Sequence, residues 1–139
     1  MSHQSTAVPP LIITEDNRFW FAAAEQGWLA IQRCTRCHTL RHPPAPCCAR
    51  CQSFEWDTIE SSRRANLCSY TVIHHPRDTA FDYPLVVGLV DLPEGIRLVA
   101  DIVGIEPDEL VAGMELDVTF AEHAHGAVLP RLTRPEVWR

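Results

Sequence analysis

The sequence contains no lysine, and all twelve residues in its lysine-plus-arginine count are arginines. This absence excludes Schiff-base chemistry through a lysine amine. The chain also lacks any apolar stretch long enough to span a bilayer, and residues 1–10 lack the basic and then apolar order of a signal peptide. We therefore expect a cytoplasmic protein with no membrane association.

Charge is distributed unevenly along the 139-residue chain, whose formal net charge is −6. Residues 33–53 include four arginines and no carboxylate, whereas residues 78–122 carry eleven acidic residues and the single basic residue Arg97. Broad nucleic-acid binding depends on neutralising many phosphates. The charge pattern therefore predicts that the partner is not a nucleic acid.

Two Cys-x-x-Cys motifs, Cys34/Cys37 and Cys48/Cys51, are the most informative feature of the sequence. They lie close enough for four thiolates to surround one ion tetrahedrally, and the proline-rich segment 43–46 stiffens the chain between them. Thiolates select zinc or iron over hard cations. The spacing predicts one structural Zn²⁺ with no open coordination position, and iron or a pair of disulfides are the alternatives.

The other two cysteines, Cys47 and Cys68, fall outside this motif. Cys68 lies in an apolar, strand-like run and is expected to be a small buried hydrophobe. Cys47 adjoins Cys48 and is expected to be a bystander, with competition for the metal as the alternative. Six cysteines without a secretory signal indicate a reducing compartment, where such pairs bind metal more often than they form disulfides.

The sequence pattern predicts a mainly β chain with a helix near its N-terminus. The helix is expected after Thr14 or Asp16, both suitable caps, and to end at Gly27. Strands lead into the first cysteine motif and out of the second, which makes residues 28–59 a zinc ribbon. The predicted division is an N-terminal tail and helix (1–27), the ribbon (28–59), a barrel (60–133) and a C-terminal tail (134–139).

The predicted barrel has five strands. Alternating or β-branched runs place them at 67–74, 84–92, 96–104, 114–122 and 127–132, with a hairpin turn at 93–95 and one helical turn at 106–111. This order matches a five-stranded OB-fold barrel, and an unrelated five-stranded sandwich is the alternative.

The chain resembles a known family in several segments. They are Phe19-Trp20, WLAIQRCTRC (28–37), HPPAPCCARC (42–51), YTVIHH (70–75), YPLVVGLVDLPEGIRLVADIVG (83–104) and Gly113-Met114. Together they cover about residues 16–133 and resemble the DUF35 proteins, which are acyl-CoA-associated OB-fold proteins with a rubredoxin-like zinc ribbon.

The resemblance implies a function for the chain. DUF35 proteins are typically non-catalytic partners of thiolase-like enzymes or acyl-CoA hydratases, in steroid side-chain breakdown, polyketide-type acylation and archaeal mevalonate synthesis. It implies that this chain forms a hetero-oligomer with such a subunit and helps to bind or channel an acyl-CoA thioester. The resemblance does not identify the pathway.

The candidate residues for acyl-CoA or partner binding each have two interpretations. The arginines at 33, 36, 41 and 50 are either a solvated surface or, through Arg36 and Arg41, a site for the CoA phosphates. In the second case the acyl chain would lie on an apolar face near three aromatic rings, Tyr70, Phe81 and Tyr83. Phe19 and Trp20 are either partner anchors or core residues.

Two rival functions are a single-stranded nucleic-acid module and a self-standing thioester enzyme. Ribbons and OB barrels both occur in nucleic-acid-binding proteins, but the barrel segment is strongly acidic. The sequence contains no GxSxG, HExxH or phosphate-binding glycine loop, so we expect no catalytic residue in this chain. His123 and His125 are expected in a solvated turn.

Overall fold

The computed structural model describes residues 10–78, 81–123 and 126–136. It contains one α-helix, α1 (Arg18–Glu25), a short 3-10 helix (Pro107–Glu109) and eight strands. The strands are β1 (Ala30–Cys34), β2 (Leu40–Arg41), β3 (Trp56–Glu60), β4 (Arg64–Ile73), β5 (Leu85–Asp91), β6 (Arg97–Asp101), β7 (Glu115–Glu122) and β8 (Val128–Thr133). The predicted mainly β architecture, with a helix, a cysteine ribbon and five further strands, is confirmed.

The ribbon is a three-stranded antiparallel sheet with β1 at its centre, in the order β2-β1-β3. The register places Cys34 opposite Trp56, and Arg33 opposite Asp57. The Arg33 guanidinium donates two hydrogen bonds to the Asp57 carboxylate, of 2.8 and 2.7 Å, and this pairing lowers the pKa of Asp57. Because both side chains are more than one third exposed, the pair fixes register more than it adds stability.

The barrel is a five-stranded antiparallel sheet in the order β6-β5-β4-β7-β8. Alternation along β5 directs Val86, Gly88 and Val90 into the core. Within the described residues, a single parallel bridge between Ile102 and Leu132 joins the two edges, so the barrel is nearly closed. A Cβ on Gly88 would lie 2.8 Å from the Ile102 side chain, so glycine permits this close approach.

The segment between ribbon and barrel, residues 61–63, is held by side-chain hydrogen bonds. Ser61 is 2% exposed, and its Oγ donates to Glu94 Oε1 at 3.1 Å. The Ser62 N–H donates to the other Glu94 oxygen at 2.8 Å. Glu94 lies in the turn between β5 and β6, so this turn ties the barrel to the chain that leaves the ribbon.

The N-terminus of α1 differs from the prediction. Its N-cap is Asn17, and the predicted caps Thr14 and Asp16 lie in a preceding turn. The reason is local: Asn17 Oδ1 accepts a 2.7 Å hydrogen bond from the Thr14 N–H, and the Thr14 carbonyl accepts from Asn17 and Arg18. The extreme ends of the two predicted tails, 1–9 and 137–139, lie outside the described residues.

No helix in the described ranges combines the length and apolar character needed to span a bilayer.

Candidate metal centre and binding groove

The four motif cysteines converge on one point. The Sγ atoms of Cys34, Cys37, Cys48 and Cys51 all lie within 4.8 Å of one another. Cys34 and Cys51 are separated by 3.5 Å and Cys37 and Cys48 by 3.6 Å, sulfur to sulfur. Zinc–sulfur bonds of about 2.3 Å in a tetrahedron require about 3.8 Å between sulfurs, so the thiols fit a zinc ion closely.

Each cysteine pair is built on the same tight turn. The N–H of His38 donates to the Cys34 carbonyl at 2.9 Å, and the N–H of Gln52 donates to the Cys48 carbonyl at 2.8 Å. Both His38 and Gln52 have a φ of 66°, in the left-handed region that favours glycine. Two non-glycine residues at equivalent positions therefore adopt a strained backbone conformation in the turns that hold the two cysteine pairs.

The electrostatics of the site favour a bound cation. A backbone hydrogen bond from Cys37 lowers the pKa of Cys34, and one from Cys51 lowers the pKa of Cys48. Despite a backbone hydrogen bond from Ser53, burial and the three neighbouring thiols raise the pKa of Cys51 to about 11. Four thiolates without a cation would repel one another, and a divalent ion removes that repulsion.

Glycine at one strained turn position should stabilise the ribbon. We expect Gln52→Gly to raise the free energy of unfolding of the zinc-loaded protein by up to about 1 kcal/mol, because glycine adopts a positive φ without steric cost. Arg50→Gly, in the same turn, is the matched control and should lower it by about 0.5–1 kcal/mol. Thermal unfolding of both variants measures the difference, and equal destabilisation would show that position 52 is unstrained.

A large groove lies on the barrel beside α1. Its volume is about 1120 Å³, and it is lined mainly by apolar side chains from α1, β5, β6, β8 and the loops at 81–84 and 102–107. Its apolar lining includes Trp20, Phe21, Phe81, Leu85, Val87 and Val99. A smaller cleft of about 530 Å³ lies on the ribbon and includes Arg36 and Phe54.

A charged cluster at the barrel seam also lines the groove. Arg131 Nε on β8 donates to Asp101 Oδ2 on β6 at 3.0 Å. His123 Nδ1 lies 2.9 Å from the Ala121 carbonyl, which requires a proton on Nδ1, so Nε2 accepts from Arg131 Nη2 at 3.4 Å. His123 lies in the predicted turn, between β7 and β8, but its side chain is only 17% exposed, so it is not solvated as predicted. His125 lies outside the described residues.

Sequence reasoning missed this cluster. Asp101 and Arg131 are thirty residues apart and meet only because the barrel edges approach each other at Ile102 and Leu132. No local motif marks either residue. The one available signal was their placement on outward-facing positions of two strands.

The rim of the groove is acidic. Its lining includes five carboxylate residues and, among the described lining residues, one arginine, which is already paired with Asp101. Asp82 and Glu122 are exposed at the rim. The five carboxylate residues are Asp78, Asp82, Asp101, Glu106 and Glu122. The groove therefore combines an apolar surface with net negative charge.

The residues predicted to bind acyl-CoA fall on different surfaces. Phe81 is 44% exposed and lines the groove, and the nearby Tyr83 hydroxyl accepts a 2.9 Å hydrogen bond from the Asp78 N–H. Tyr70 is 42% exposed on β4, and Arg36 lines the ribbon cleft.

Arg41 differs from the other ribbon arginines in being turned inward. Its Nε donates to the Ala45 carbonyl at 3.1 Å, while Nη1 and Nη2 are enclosed without a hydrogen-bond partner among the described residues. An enclosed guanidinium without an acceptor is costly, so an anion or a polar partner group would stabilise it.

The aromatic residues of α1 divide between two surroundings. Trp20 packs against the barrel core, lines the groove and contacts the His42 ring at 5.9 Å between centroids. Phe19 packs against Trp56 on β3 at 4.8 Å and is half-buried. The helix therefore connects the ribbon to the groove.

Comparison with known proteins identifies both parts of the chain. Family models of the ChsH2 rubredoxin-like zinc ribbon domain and of the ChsH2 C-terminal OB-fold domain match residues 21–57 and 58–121. The ribbon match and the thiol geometry together assign a structural zinc ion to the four-cysteine site. The predicted barrel is accordingly an OB fold.

A bacterial relative is similar over most of this chain. The chain is 50% identical over 129 residues, 93% of its length, to a probable enoyl-CoA hydratase alpha subunit of Thermomonospora curvata. It spans only 40% of that relative's length. In a solved structure, a chain of the Ltp2-ChsH2(DUF35) aldolase superposes with a TM-score of 0.86 and 48% identity, covering 90% of this chain and 98% of that one.

An archaeal relative matches along most of its own length. A DUF35 domain-containing scaffold protein of Methanocaldococcus jannaschii is 30% identical over 105 residues, which are 74% of this chain and 74% of the relative. The cysteine ribbon, the barrel and these matches agree, and the chain belongs to the DUF35 family.

Proposed function

We propose that this chain is a zinc-containing accessory subunit that binds and stabilises a thiolase-like partner and helps to hold an acyl-CoA thioester. The observation that carries the proposal is the likeness to a chain of the Ltp2-ChsH2(DUF35) aldolase, with a TM-score of 0.86 over 90% of this chain and 98% of that one. A hydratase-like partner is the second candidate, favoured by the 50% identity to a probable enoyl-CoA hydratase alpha subunit.

The metal centre supports a non-catalytic role. Four protein thiolates complete the tetrahedral coordination of zinc, which leaves no position for water or substrate. His123 is engaged through both ring nitrogens, so neither nitrogen is left for proton transfer to a substrate. In this proposal the reacting groups belong to the partner.

The acyl-CoA part of the proposal rests on the ribbon arginines. Guanidinium groups pair bidentately with phosphates, and the enclosed nitrogens of Arg41 lack an acceptor among the described residues. We place the CoA phosphates near Arg36 and Arg41, and the acyl group beside the exposed ring of Tyr70, outside the groove, where the partner's active site would adjoin. We further propose that the ribbon comprises residues 28–59 and the barrel residues 60–133. We also propose that the protein is located in the cytoplasm.

Assembly with a purified partner tests the function. The zinc-loaded chain is mixed with the Ltp2 subunit of the aldolase, and the mass of the mixture is measured by light scattering after size exclusion. We expect a stoichiometric complex, and no turnover of acyl-CoA substrates by the isolated chain. Two separate masses with Ltp2, and equally with a hydratase subunit, would contradict the proposal.

The same preparation tests the nucleic-acid alternative. Because the barrel is acidic and a strand-binding surface requires positive charge, we expect no shift of a single-stranded oligonucleotide at physiological salt. Salt-sensitive binding would favour the nucleic-acid module instead.

A further inference from the structure

We infer that the groove beside α1 receives a segment of the partner protein that carries apolar side chains and at least one arginine or lysine. This inference rests on the proposed function, since it requires that the chain be an accessory subunit. It assigns the groove to protein recognition and leaves acyl-CoA to the ribbon arginines and the partner.

The groove lies where β6 and β8, the two edge strands of the barrel sheet, approach each other. Strands β6 and β8 are bridged, within the described residues, at Ile102 and Leu132, and the adjacent Asp101 and Arg131 are joined by an ion pair. Both strands contribute to the groove. Its volume of about 1120 Å³ exceeds the range of about 300–1000 Å³ usual for small-molecule sites, so it has room for several side chains of a protein segment.

The apolar surface of the groove is exposed. Val99 is 62% exposed and Phe81 is 44% exposed, although both are large hydrophobic residues. In the register of β5 and β6, Val99 lies opposite Leu89, and Val87 lies opposite Asp101. A contiguous apolar surface rimmed by polar groups is typical of a protein interface.

The charge of the rim selects among possible occupants. Five carboxylate residues line the groove, and its arginine is already paired with Asp101. The phosphates of CoA would be repelled there. A second copy of this chain, with a net charge of −6, would be repelled on average as well. A cationic and apolar protein segment is complementary in both respects.

Removing rim charge tests the electrostatic part of the inference. We expect the double variant Asp82→Asn/Glu122→Gln to bind the Ltp2 subunit roughly tenfold more weakly at low salt and with a shallower salt dependence, as measured by calorimetry. The control Glu60→Gln/Glu115→Gln removes the same charge from exposed residues that do not line the groove, and should bind like the wild type.

A matched pair of valines tests the apolar part. Val99 in the groove and Val111 outside it are 62% and 64% exposed, so glutamine changes a similar surface at each. We expect Val99→Gln to weaken Ltp2 binding roughly fivefold, because it loses apolar burial in the complex, and Val111→Gln to leave it unchanged. Thermal unfolding of both variants checks that the fold is retained.

The outcomes separate this inference from the proposed function. If wild type assembles with Ltp2 and the groove variants bind as tightly as their controls, the groove inference is wrong and the accessory function stands. If wild type does not assemble with any partner subunit, both are wrong. A rise in acyl-CoA affinity in Asp82→Asn/Glu122→Gln would show that the groove holds CoA, which also overturns the inference.

Discussion

Replacing Cys48 by alanine is expected to abolish zinc binding and unfold the ribbon, whereas replacing its neighbour Cys47 should do neither. Cys48 is 1% exposed, and its thiol belongs to the four-thiol cluster. Cys47 lies outside that cluster, and its thiol is directed to the Cys48 carbonyl at 3.5 Å. Structural zinc contributes about 10–16 kcal/mol in small metal-dependent domains, so its loss outweighs any local rearrangement.

Mass spectrometry measures the zinc content of each variant, and circular dichroism measures whether the ribbon is folded. We expect one zinc per chain for wild type and Cys47→Ala, and none for Cys48→Ala. Cys68→Ala is a further control, because Cys68 lies on β4. Full zinc content in Cys48→Ala with loss in Cys47→Ala would mean that the two cysteines have exchanged roles.

The second large effect is expected at Glu94. Its carboxylate accepts hydrogen bonds from the Ser61 hydroxyl and the Ser62 N–H, and Ser61 is 2% exposed. Alanine at position 94 leaves the buried hydroxyl without its acceptor, which should lower the free energy of unfolding by about 2–3 kcal/mol. Because the linker between ribbon and barrel is then held less firmly, the two parts should also unfold less cooperatively.

Urea unfolding followed by two probes measures both consequences of the Glu94 change. Far-ultraviolet circular dichroism reports the whole chain, and tryptophan fluorescence reports mainly α1 and the ribbon, which hold Trp20, Trp28 and Trp56. Glu115→Ala, at an exposed position on β7, is the control and should change stability by less than about 0.5 kcal/mol. Coincident transitions and an unchanged free energy in Glu94→Ala would show that the linker contacts are dispensable.

The ribbon was predictable because its signals are local. Each Cys-x-x-Cys motif spans only four residues, and four clustered thiolates have few uses other than binding a metal such as zinc. The strand and hairpin predictions succeeded for the same reason, since alternation along β5 and the turn at 93–95 are read within ten residues.

The groove and the linker contacts were not predictable, because both join distant parts of the chain. Asp101 and Arg131 are thirty residues apart, and Ser61 and Glu94 are thirty-three apart. Both pairs depend on how the barrel edges and the linker come together, which strand propensity does not determine. The predicted binding residues Arg36 and Phe81 likewise fell on separate surfaces, since sequence alone does not orient the ribbon on the barrel.

Chelation of the assembled complex tests the central claim most directly. The claim is that zinc fixes the ribbon, that the ribbon and α1 complete the surface for the partner, and that the chain acts through that surface. We measure the light-scattering mass and zinc content of the complex with Ltp2 before and after chelation, and after zinc is restored. The account predicts dissociation with zinc loss and reassembly with zinc. A complex that keeps its full mass after complete zinc removal would contradict it.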